Sequence, residues 1–356
     1  MFDAAIETIF DFDKLDFDRP GKSLYQLAFI HDGDWASILV PLIVINGRKG
    51  PGTGVAVFGG THGNEFEGQV AALRLAQELD PAEMSGRLIL MPRLNPPACA
   101  AATRESPLDR GNMNRAFPGK PDGTVTYRIA HFVTNYIFPQ VSVVLDIHAG
   151  GTKLRFPVLP AVLETSDVTL WNDAVNTVFL FDAPFVGVGS ASLQSGTLTG
   201  HSAALGKVTI GGEFGYCRSV HLKGLRHAFE GALNVLRYHG NLPGEIRRVD
   251  PERRDPPIMI RAASAEEYVP APFAGIFEPV LDVGEPVEKD QLLGRLHNFE
   301  RFDRPAFEVR ARHRGHVLML VFEGPVQQGD WIYVIGEETS APSNAAYALW
   351  KSMIAG

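Results

Sequence analysis

Cysteine is scarce in this sequence, with only Cys99 and Cys217 among 356 residues. Two thiols so far apart do not form a disulfide framework, and they lack the paired CxxC spacing of a thiolate metal site. No run of 18 or more apolar residues occurs, which argues against a membrane-spanning helix. The N-terminus is acidic and has no basic segment before an apolar stretch, so no signal peptide is predicted. These absences favour a cytoplasmic location.

Basic residues are also in the minority. Lysine and arginine number 33 against 41 aspartates and glutamates, which gives a net charge of −8 and a pI near 5.8. Nucleic-acid binders usually present a basic face, so neither nucleic acid nor a membrane is expected as a partner. Apolar residues make up 45% of the chain, a globular balance, and the length suggests two domains.

Short apolar runs alternate with helical patterns through the first two thirds of the chain. The predicted strands are Leu24–Ile30, Ser37–Ile45, Val55–Phe58, Leu88–Met91, Val143–Ile147 and Val208–Ile210, with a turn at His31–Asp34. The predicted helices are Glu65–Leu79, Thr126–Phe138 and Leu222–Tyr238. The first helix shows an apolar stripe formed by Phe66, Val70, Leu73 and Ala76. This alternation predicts an α/β fold with a largely parallel sheet and reactive groups at the strand C-terminal ends.

The pattern changes after a charged, proline-rich stretch at residues 241–257, which is a plausible linker. Beyond it, AGIFEPVLDVGEPVEKDQLLGRL is echoed by RGHVLMLVFEGPVQQGDWIYVIG, and both are typical of short strands joined by turns. This weak repeat predicts a small β-barrel or sandwich with two similar halves. We therefore predict a larger domain at residues 1–250, which includes the N-terminal strands, and a C-terminal all-β domain at 251–356.

The segment GGTHGNEFEG places His62 and Glu65 three residues apart, where a strand gives way to a helix. Catalytic zinc commonly takes two histidines and one glutamate and leaves a position for water. Glycines around the pair allow a tight turn and leave space for a substrate. The alternative is a plain glycine-rich turn in which Glu65 interacts favourably with the dipole of the helix N-terminus.

Two further segments follow predicted strands. In LDIHAGG, His148 would lie at the same sheet edge as His62, and Asp146 could orient its ring. In VTIGGEFG, Glu213 ends a strand beside glycines, a good position for a general base acting on metal-bound water. Taken singly, His148 could be a satisfied core histidine and Glu213 a surface residue in a turn.

The loop TRESPLDRGNMNRAFPG contributes cationic and amide side chains, among them Arg104, Asn114 and Arg115. Arginine binds carboxylates in a forked geometry and can stabilise a developing oxyanion. A long structured loop often contacts substrate, although a solvated polar loop is the simpler reading.

In order along the chain, GGTHGNEFEG, RLNPPA, NMNRAFPG, DIHAGG and GGEFG resemble the succinylglutamate desuccinylase/aspartoacylase family. The resemblance covers roughly residues 40 to 240. SPLDRGNMNRAFPG and the all-β tail are most similar to a branch that includes N-acetyl-diaminobutyrate deacetylases. The resemblance to this family implies a mixed, largely parallel sheet flanked by helices, like that of the zinc carboxypeptidases.

The resemblance also implies roles for individual residues. One Zn²⁺ per chain would be held by His62, Glu65 and His148, with Glu213 as the general base. Arg104 would polarise the scissile carbonyl, and Asn114 with Arg115 would hold a substrate carboxylate.

Three hypotheses follow for the function of the chain. The first is a zinc-dependent deacylase that hydrolyses the amide bond of a small N-acyl amino acid. The second is a zinc carboxypeptidase that acts on peptides through the same site. The third is an inactive binding or carrier protein. A homo-oligomer is compatible with all three.

Overall fold

The computed structural model describes residues 5–30, 36–190, 194–262, 265–339 and 348–352. The predicted turn at His31–Asp34 therefore lies outside the described residues. Within these ranges the strands form one sheet of 15 strands and a second sheet of four. The strands before residue 250 are β1 (Ile6–Ile9), β2 (Gly21–Ile30), β3 (Ser37–Asn46), β4 (Gly54–Phe58), β5 (Arg87–Met91), β6 (Val143–Asp146), β7 (Leu154–Arg155), β8 (Leu159–Leu163), β9 (Phe185–Gly189) and β10 (Val208–Glu213).

The strands after residue 250 are shorter on average. They are β11 (Ile258–Arg261), β12 (Tyr268–Pro270), β13 (Gly275–Pro279), β14 (Pro286–Val287), β15 (Leu292–His297), β16 (Phe307–Arg310), β17 (Gly315–Val321), β18 (Pro325–Val326) and β19 (Trp331–Glu338). β11 continues the large sheet, because it pairs with β9 in parallel and with β19 in antiparallel orientation. The domain boundary near residue 250 stays a prediction.

Helices cover both faces of the sheet. They are α1 (Glu67–Glu78), α2 (Pro96–Ala101), α3 (Val125–Phe132), α4 (Val168–Phe179), α5 (Leu198–Ala204) and α6 (Leu222–Tyr238). Residues 348–352 are also helical. In the described ranges, no helix has the length and apolarity needed to cross a membrane.

The centre of the sheet confirms the predicted α/β fold. β5, β4, β6 and β10 are neighbours that run parallel to one another, whereas β3 and β8 are antiparallel to their neighbours in this group. On β4, Val55 and Val57 belong to the buried cluster that includes residues of α1, α4 and α6, while Ala56 and Phe58 belong to the cluster that includes residues of α3. Such strands are apolar at every position because both of their faces are buried.

Two predicted helices differ from the structure in an instructive way. The first begins at Glu67, so Glu65 lies in the preceding turn, and its buried face is Ala71, Ala72 and Leu75. Leu73, part of the predicted apolar stripe, is exposed. Alanines bring the helix backbone close to the sheet, and this close contact decides the orientation of a helix with few large apolar residues.

The helix predicted at Thr126–Phe138 is α-helical only as far as Phe132. It continues as a π turn over Val133–Ile137 and a 3₁₀ turn over Phe138–Gln140. Pro139 has no backbone N–H to continue α-helical hydrogen bonding, which accounts for the loosened end. The bounds predicted for the third helix, Leu222–Tyr238, agree with α6.

The two C-terminal repeats exchange their short strands. β13 pairs with β15 of its own repeat and with β18 of the second repeat, while β17 pairs with β19 and with β14 of the first. Val287 and Val326, one from each short strand, are buried in a common core. The hydroxyl of Tyr333, in the second repeat, lies 2.7 Å from the carbonyl oxygen of Leu281 and 2.9 Å from that of Leu293 in the first, and can donate its proton to either. Neither repeat would bury its core alone.

The C-terminal strands contact two segments that carry side chains proposed from the sequence to form the active site. β7, which follows the DIHAGG motif, pairs with β17, and the backbone N–H of Phe322 donates to the carbonyl of Lys153 at 2.7 Å. The Phe322 ring lies 5.9 Å from that of Tyr216, just after the GGEFG motif. The C-terminal strands therefore pack against both the segment after DIHAGG and the segment after GGEFG.

A buried ionic cluster ties the linker to the larger part of the chain. Asp182 has no solvent exposure and accepts hydrogen bonds from Arg248 (2.8 Å) and Arg253. The indole N–H of Trp350, in the last described helical segment, lies 3.3 Å from the same carboxylate. Although burial alone would raise the pKa of Asp182, the hydrogen bond from Arg248 and the nearby cations lower it.

Replacing Asp182 with alanine should lower the free energy of unfolding by about 3–5 kcal/mol, because two largely buried guanidinium groups lose their counter-charge. Urea denaturation of the purified protein measures the change. Asp122→Ala, at an exposed position, should stay within about 0.5 kcal/mol of the parent protein. A loss below about 1 kcal/mol for Asp182→Ala would show that the cluster contributes little to stability.

Candidate active site

Three neighbouring parallel strands present the ionisable groups of the site. β4, β6 and β10 lie side by side. His62 follows β4, His148 follows β6, and Glu213 is the last residue of β10. The carboxyl ends of parallel strands meet at one sheet edge, so the three side chains gather there. His148 also forms a parallel backbone bridge with Glu213.

The turn between β4 and α1 brings His62 and Glu65 together. Gly60 adopts a φ of +68°, which residues with a side chain rarely tolerate. Gly63 packs so closely against α2 that a Cβ atom would lie 1.9 Å from the carbonyl carbon of Ala98. Glycine is therefore required at both positions for the chain to make this turn.

His62, Glu65 and His148 form a buried cluster whose potential ligand atoms all lie within 4.8 Å of one another. His62 Nδ1 lies 2.8 Å from Glu65 Oε1, and His148 Nδ1 lies 2.8 Å from Glu65 Oε2. Two imidazole nitrogens and one carboxylate are the donor set of catalytic zinc sites that keep an open position. The three residues therefore fit a zinc ion.

The second nitrogen of each histidine has its own partner. His148 Nε2 lies 2.8 Å from one carboxylate oxygen of Asp146, whose other oxygen accepts from the Thr61 hydroxyl at 2.7 Å. His62 Nε2 lies 3.2 Å from the amide oxygen of Asn112. Such partners fix the tautomer and the orientation of a histidine that binds metal through its other nitrogen.

The two histidines of the cluster differ in their charge. Burial opposes ionisation of Glu65, but its interactions with His62 and His148 hold its pKa well below the usual range. Burial lowers the pKa of His62. Burial likewise disfavours a charged His148, but Asp146 and Glu65 raise its pKa well above the ordinary value. A metal cation bound here would replace the proton that these carboxylates attract.

Changing Asp146 to asparagine should weaken zinc binding by about 10- to 100-fold, because His148 loses the charged partner that orients it. Competition with a chromophoric chelator measures the dissociation constant. Asp173→Asn, at an exposed position on α4, is the matched control and should leave it unchanged. Equal zinc affinity in both variants would contradict an orienting role for Asp146.

Glu213 has the environment of a base that works near neutral pH. Burial, and then the negative charge of Glu65, raise the pKa of its carboxyl group to about 7. Its Oε2 atom is shielded from solvent and has no hydrogen-bond partner among the described residues. A carboxylate without a partner, at the edge of a cavity, is available to exchange protons with a ligand.

The loop residues Arg104, Asn114 and Arg115 all lie against the same cavity. Arg104 Nη1 is 3.5 Å from Glu65 Oε1, while Arg115 Nη1 donates to the backbone carbonyl of Asn114 at 2.6 Å. The side-chain oxygen of Asn114 accepts from the backbone N–H of Leu198 at 3.0 Å. Asn114 therefore also fixes the start of α5 beside the cavity.

The cavity has a volume of about 280 Å³. Of the residues proposed from the sequence, Glu65 and Asp146 are buried and do not line it, whereas the other six do. Its lining residues are His62, Arg104, Asn114, Arg115, His148, Leu159, Ala161, Val162, Leu163, Gly189, Gln194, Thr199, Thr209, Gly211, Gly212 and Glu213.

Comparison with known proteins agrees with this geometry. The sequence profile of the succinylglutamate desuccinylase/aspartoacylase catalytic domain matches residues 51–239, more than half of the chain. The chain belongs to this family. The resemblance indicated by the five sequence motifs is thereby confirmed.

Individual relatives within the family are similar over most of their length. The chain is 32% identical to the N-alpha-acetyl-L-2,4-diaminobutyric acid deacetylase of Halomonas elongata, over 85% of this chain and 87% of that protein. The crystal structure of a succinylglutamate desuccinylase/aspartoacylase from Rhodobacter sphaeroides matches with a TM-score of 0.87 and 31% identity, covering 92% of this chain and 98% of the other. The product-bound ectoine utilization protein EutE (DoeB) from Ruegeria pomeroyi matches with a TM-score of 0.83 and 33% identity, covering 91% and 98%.

Asn112 is the functional candidate that the sequence did not single out. It lies two residues before Asn114, but its amide oxygen turns towards His62 and also accepts from the backbone N–H of Asn114 at 3.0 Å. No local period marks it, because the loop folds back onto a motif 50 residues earlier in the chain. Only the three-dimensional path of this loop identifies Asn112 as a partner of His62.

Proposed function

We propose that this chain is a zinc-dependent amidohydrolase that releases the acyl group from a small N-acyl amino acid. The observation that carries the proposal is the buried His62, Glu65 and His148 cluster, which lies beside a carboxyl group whose pKa is raised to about 7. Membership of a desuccinylase and aspartoacylase family supports the reaction type. The Halomonas relative, named as a deacetylase of an N-acetyl amino acid, supports the substrate class.

The residues divide the work of amide hydrolysis among them. Zinc held by the cluster would supply Lewis-acid polarisation and lower the pKa of water. Glu213 accepts the proton of the attacking water and then delivers it to the leaving amine. Arg104 donates hydrogen bonds to the oxygen on which negative charge develops. Arg115, with Asn114, holds the substrate carboxylate through a charge-assisted contact.

The size of the cavity favours a small amide over a peptide. Its volume of about 280 Å³ is at the lower limit of ligand sites, which typically run from about 300 to 1,000 Å³. Arg115 and Asn114 line the same small cavity as His62 and His148, so a substrate carboxylate held there would share this space with the rest of the substrate. Peptide hydrolysis through the same site is therefore the less favoured hypothesis.

Hydrolysis of a panel of N-acyl amino acids by the purified protein, with and without a chelator, tests the proposal. N-acetyl-aspartate, N-succinyl-glutamate and N-acetyl-2,4-diaminobutyrate represent the substrates suggested by the relatives, and a tripeptide represents the alternative. We expect turnover of N-acyl amino acids that a chelator abolishes and added zinc restores. Turnover of the tripeptide alone would favour the carboxypeptidase hypothesis, and no turnover by zinc-loaded protein would contradict both.

A further inference from the structure

One wall of the cavity has no ionisable group. β8 contributes Leu159, Ala161 and Leu163, which alternate along the strand and so share one face, while Val162 between them is packed in the core, and Gly189, Gly211 and Gly212 also line the cavity. Gln194, Thr199 and Thr209 complete this wall. An apolar wall with a few neutral polar groups fits a ligand segment that is itself uncharged.

The two threonines of this wall use their hydroxyl groups within the protein. Thr209 Oγ1 lies 2.9 Å from Ser202 Oγ and donates to the carbonyl of Lys207 at 3.1 Å. Thr199 Oγ1 lies 3.3 Å from Thr197 Oγ1. The methyl group of Thr199 instead faces Gly211, since a Cβ atom on that glycine would lie 3.0 Å from it. The threonines therefore add apolar surface more than hydrogen-bonding capacity.

The charges elsewhere in the cavity have one dominant sign. Apart from the two histidines, the ionisable side chains that line it in the described ranges are Arg104, Arg115 and Glu213. Glu213 faces the metal cluster and is the base of the proposed reaction.

The nearest acidic side chain along the apolar wall is already paired. Glu164 directly follows Leu163, but its carboxylate accepts from the guanidinium group of Arg261. Glu164 is also absent from the residues that line the cavity. A substrate ammonium group placed against this wall would find two arginines nearby, and the one carboxylate among the described lining residues is that of Glu213, the base of the proposed reaction.

We infer that this wall receives the side chain of the leaving amino acid and that it selects uncharged side chains over cationic ones. The inference rests on the proposed function and specifies its substrate: an N-acyl α-amino acid with a short aliphatic or neutral polar side chain. The substrate carboxylate is satisfied by Arg115, and the side chain lies against β8 and the glycines.

An isosteric pair of substrates tests the inference. N-acetyl-L-norvaline and N-acetyl-L-2,4-diaminobutyrate differ only in a terminal methyl group against an ammonium group. We expect kcat/KM to be at least about 10-fold higher for the norvaline compound, because the ammonium group would lie near two arginines with no carboxylate other than that of the proposed base. Calorimetric titration of the free amino acids should show the same order of binding, which provides a readout independent of turnover.

Gln194→Glu adds a carboxylate to the wall with almost no change of shape. It should raise the ratio of kcat/KM for the diaminobutyrate compound to that for the norvaline compound by at least about 10-fold, because the ammonium gains a charged acceptor. Gln77→Glu, at an exposed position on α1, adds the same charge outside the cavity and should leave the ratio unchanged.

The outcomes separate this inference from the proposed function. Hydrolysis of the diaminobutyrate compound at or above the rate of the norvaline compound would overturn the inference and leave the deacylase proposal standing. A 10-fold preference for N-acetyl-aspartate over both would overturn it equally, because the side chain would then be anionic. An unchanged ratio in Gln194→Glu would overturn the assignment of this wall to the side chain. Failure to hydrolyse any N-acyl amino acid with zinc bound would contradict the proposed function itself.

Discussion

Replacing Glu213 with glutamine should lower kcat/KM for N-acyl amino acids by about 100- to 10,000-fold, the usual contribution of a positioned acid–base group. Glutamine keeps the shape of the side chain but cannot accept the proton from water. Because Glu213 lies outside the His62, Glu65 and His148 cluster, the variant should still bind one zinc per chain. Steady-state kinetics and elemental analysis of the same preparation measure both quantities.

Glu164→Gln is the matched control for this experiment. Glu164 also lies at a strand end near the cavity, but its carboxylate is paired with Arg261. The Glu164→Gln variant should keep the activity of the parent protein. A Glu213→Gln variant that retained more than about a tenth of the activity would contradict its role as the base. Loss of zinc together with activity would instead indicate that Glu213 is a ligand.

Replacing Glu65 with glutamine should abolish activity by removing the metal. Both histidine Nδ1 atoms face the Glu65 carboxylate at 2.8 Å, so it is the shared centre of the cluster. We expect zinc affinity to fall by more than the roughly 10- to 100-fold loss that follows removal of an outer partner. Chelator competition measures the affinity, and a large excess of zinc should restore part of the activity.

Glu67→Gln is the matched control, because it neutralises a buried carboxylate that is not one of the proposed zinc ligands. Glu67 is also a buried carboxylate, two residues further along, and it accepts from the backbone N–H of His221 at 2.9 Å. A glutamine there can accept the same hydrogen bond, so zinc affinity should be preserved. Equal loss of zinc in the Glu65 and Glu67 variants would mean that any neutralised carboxyl group in this turn disturbs the site, and that Glu65 has no special role.

The position of the site was predictable because it follows directly from the strands. His62, His148 and Glu213 each come just after a short apolar run, and parallel strands necessarily bring their carboxyl ends to one edge. The hydrophobic runs are strong local signals, so the strand bounds differ by only a few residues from the predictions. The roles of these residues stay proposals, whereas their proximity is now a structural observation.

The face of α1 was not predictable from its larger apolar residues. Leu73 points to solvent, while Ala71 and Ala72 lie against the sheet. Alanine contributes little to a hydrophobic stripe, yet its small side chain lets the helix pack closely on β4 and β5. The orientation of α1 therefore depends on the sheet that it packs against, and the local sequence of the helix does not contain that information.

The exchange of strands between the C-terminal repeats could also not be predicted from the sequence pattern. The repeats themselves were visible, but β14 and β18 would bury their valines equally well within either half. Pairing between distant segments depends on how both repeats fold together, as the bonds from Tyr333 to the first repeat show. The same limit applies to Asn112, whose contact with His62 joins two separate loops.

Zinc titration of chelator-stripped protein tests the central claim most directly. Hydrolysis of an N-acetyl amino acid that the parent protein accepts would be followed as zinc is added in fractions of one equivalent per chain. The account predicts negligible activity without metal, a linear rise to one zinc per chain and a plateau beyond it. Full activity in the stripped protein, or a rise that continues to two or more zinc ions per chain, would contradict a mononuclear zinc amidohydrolase.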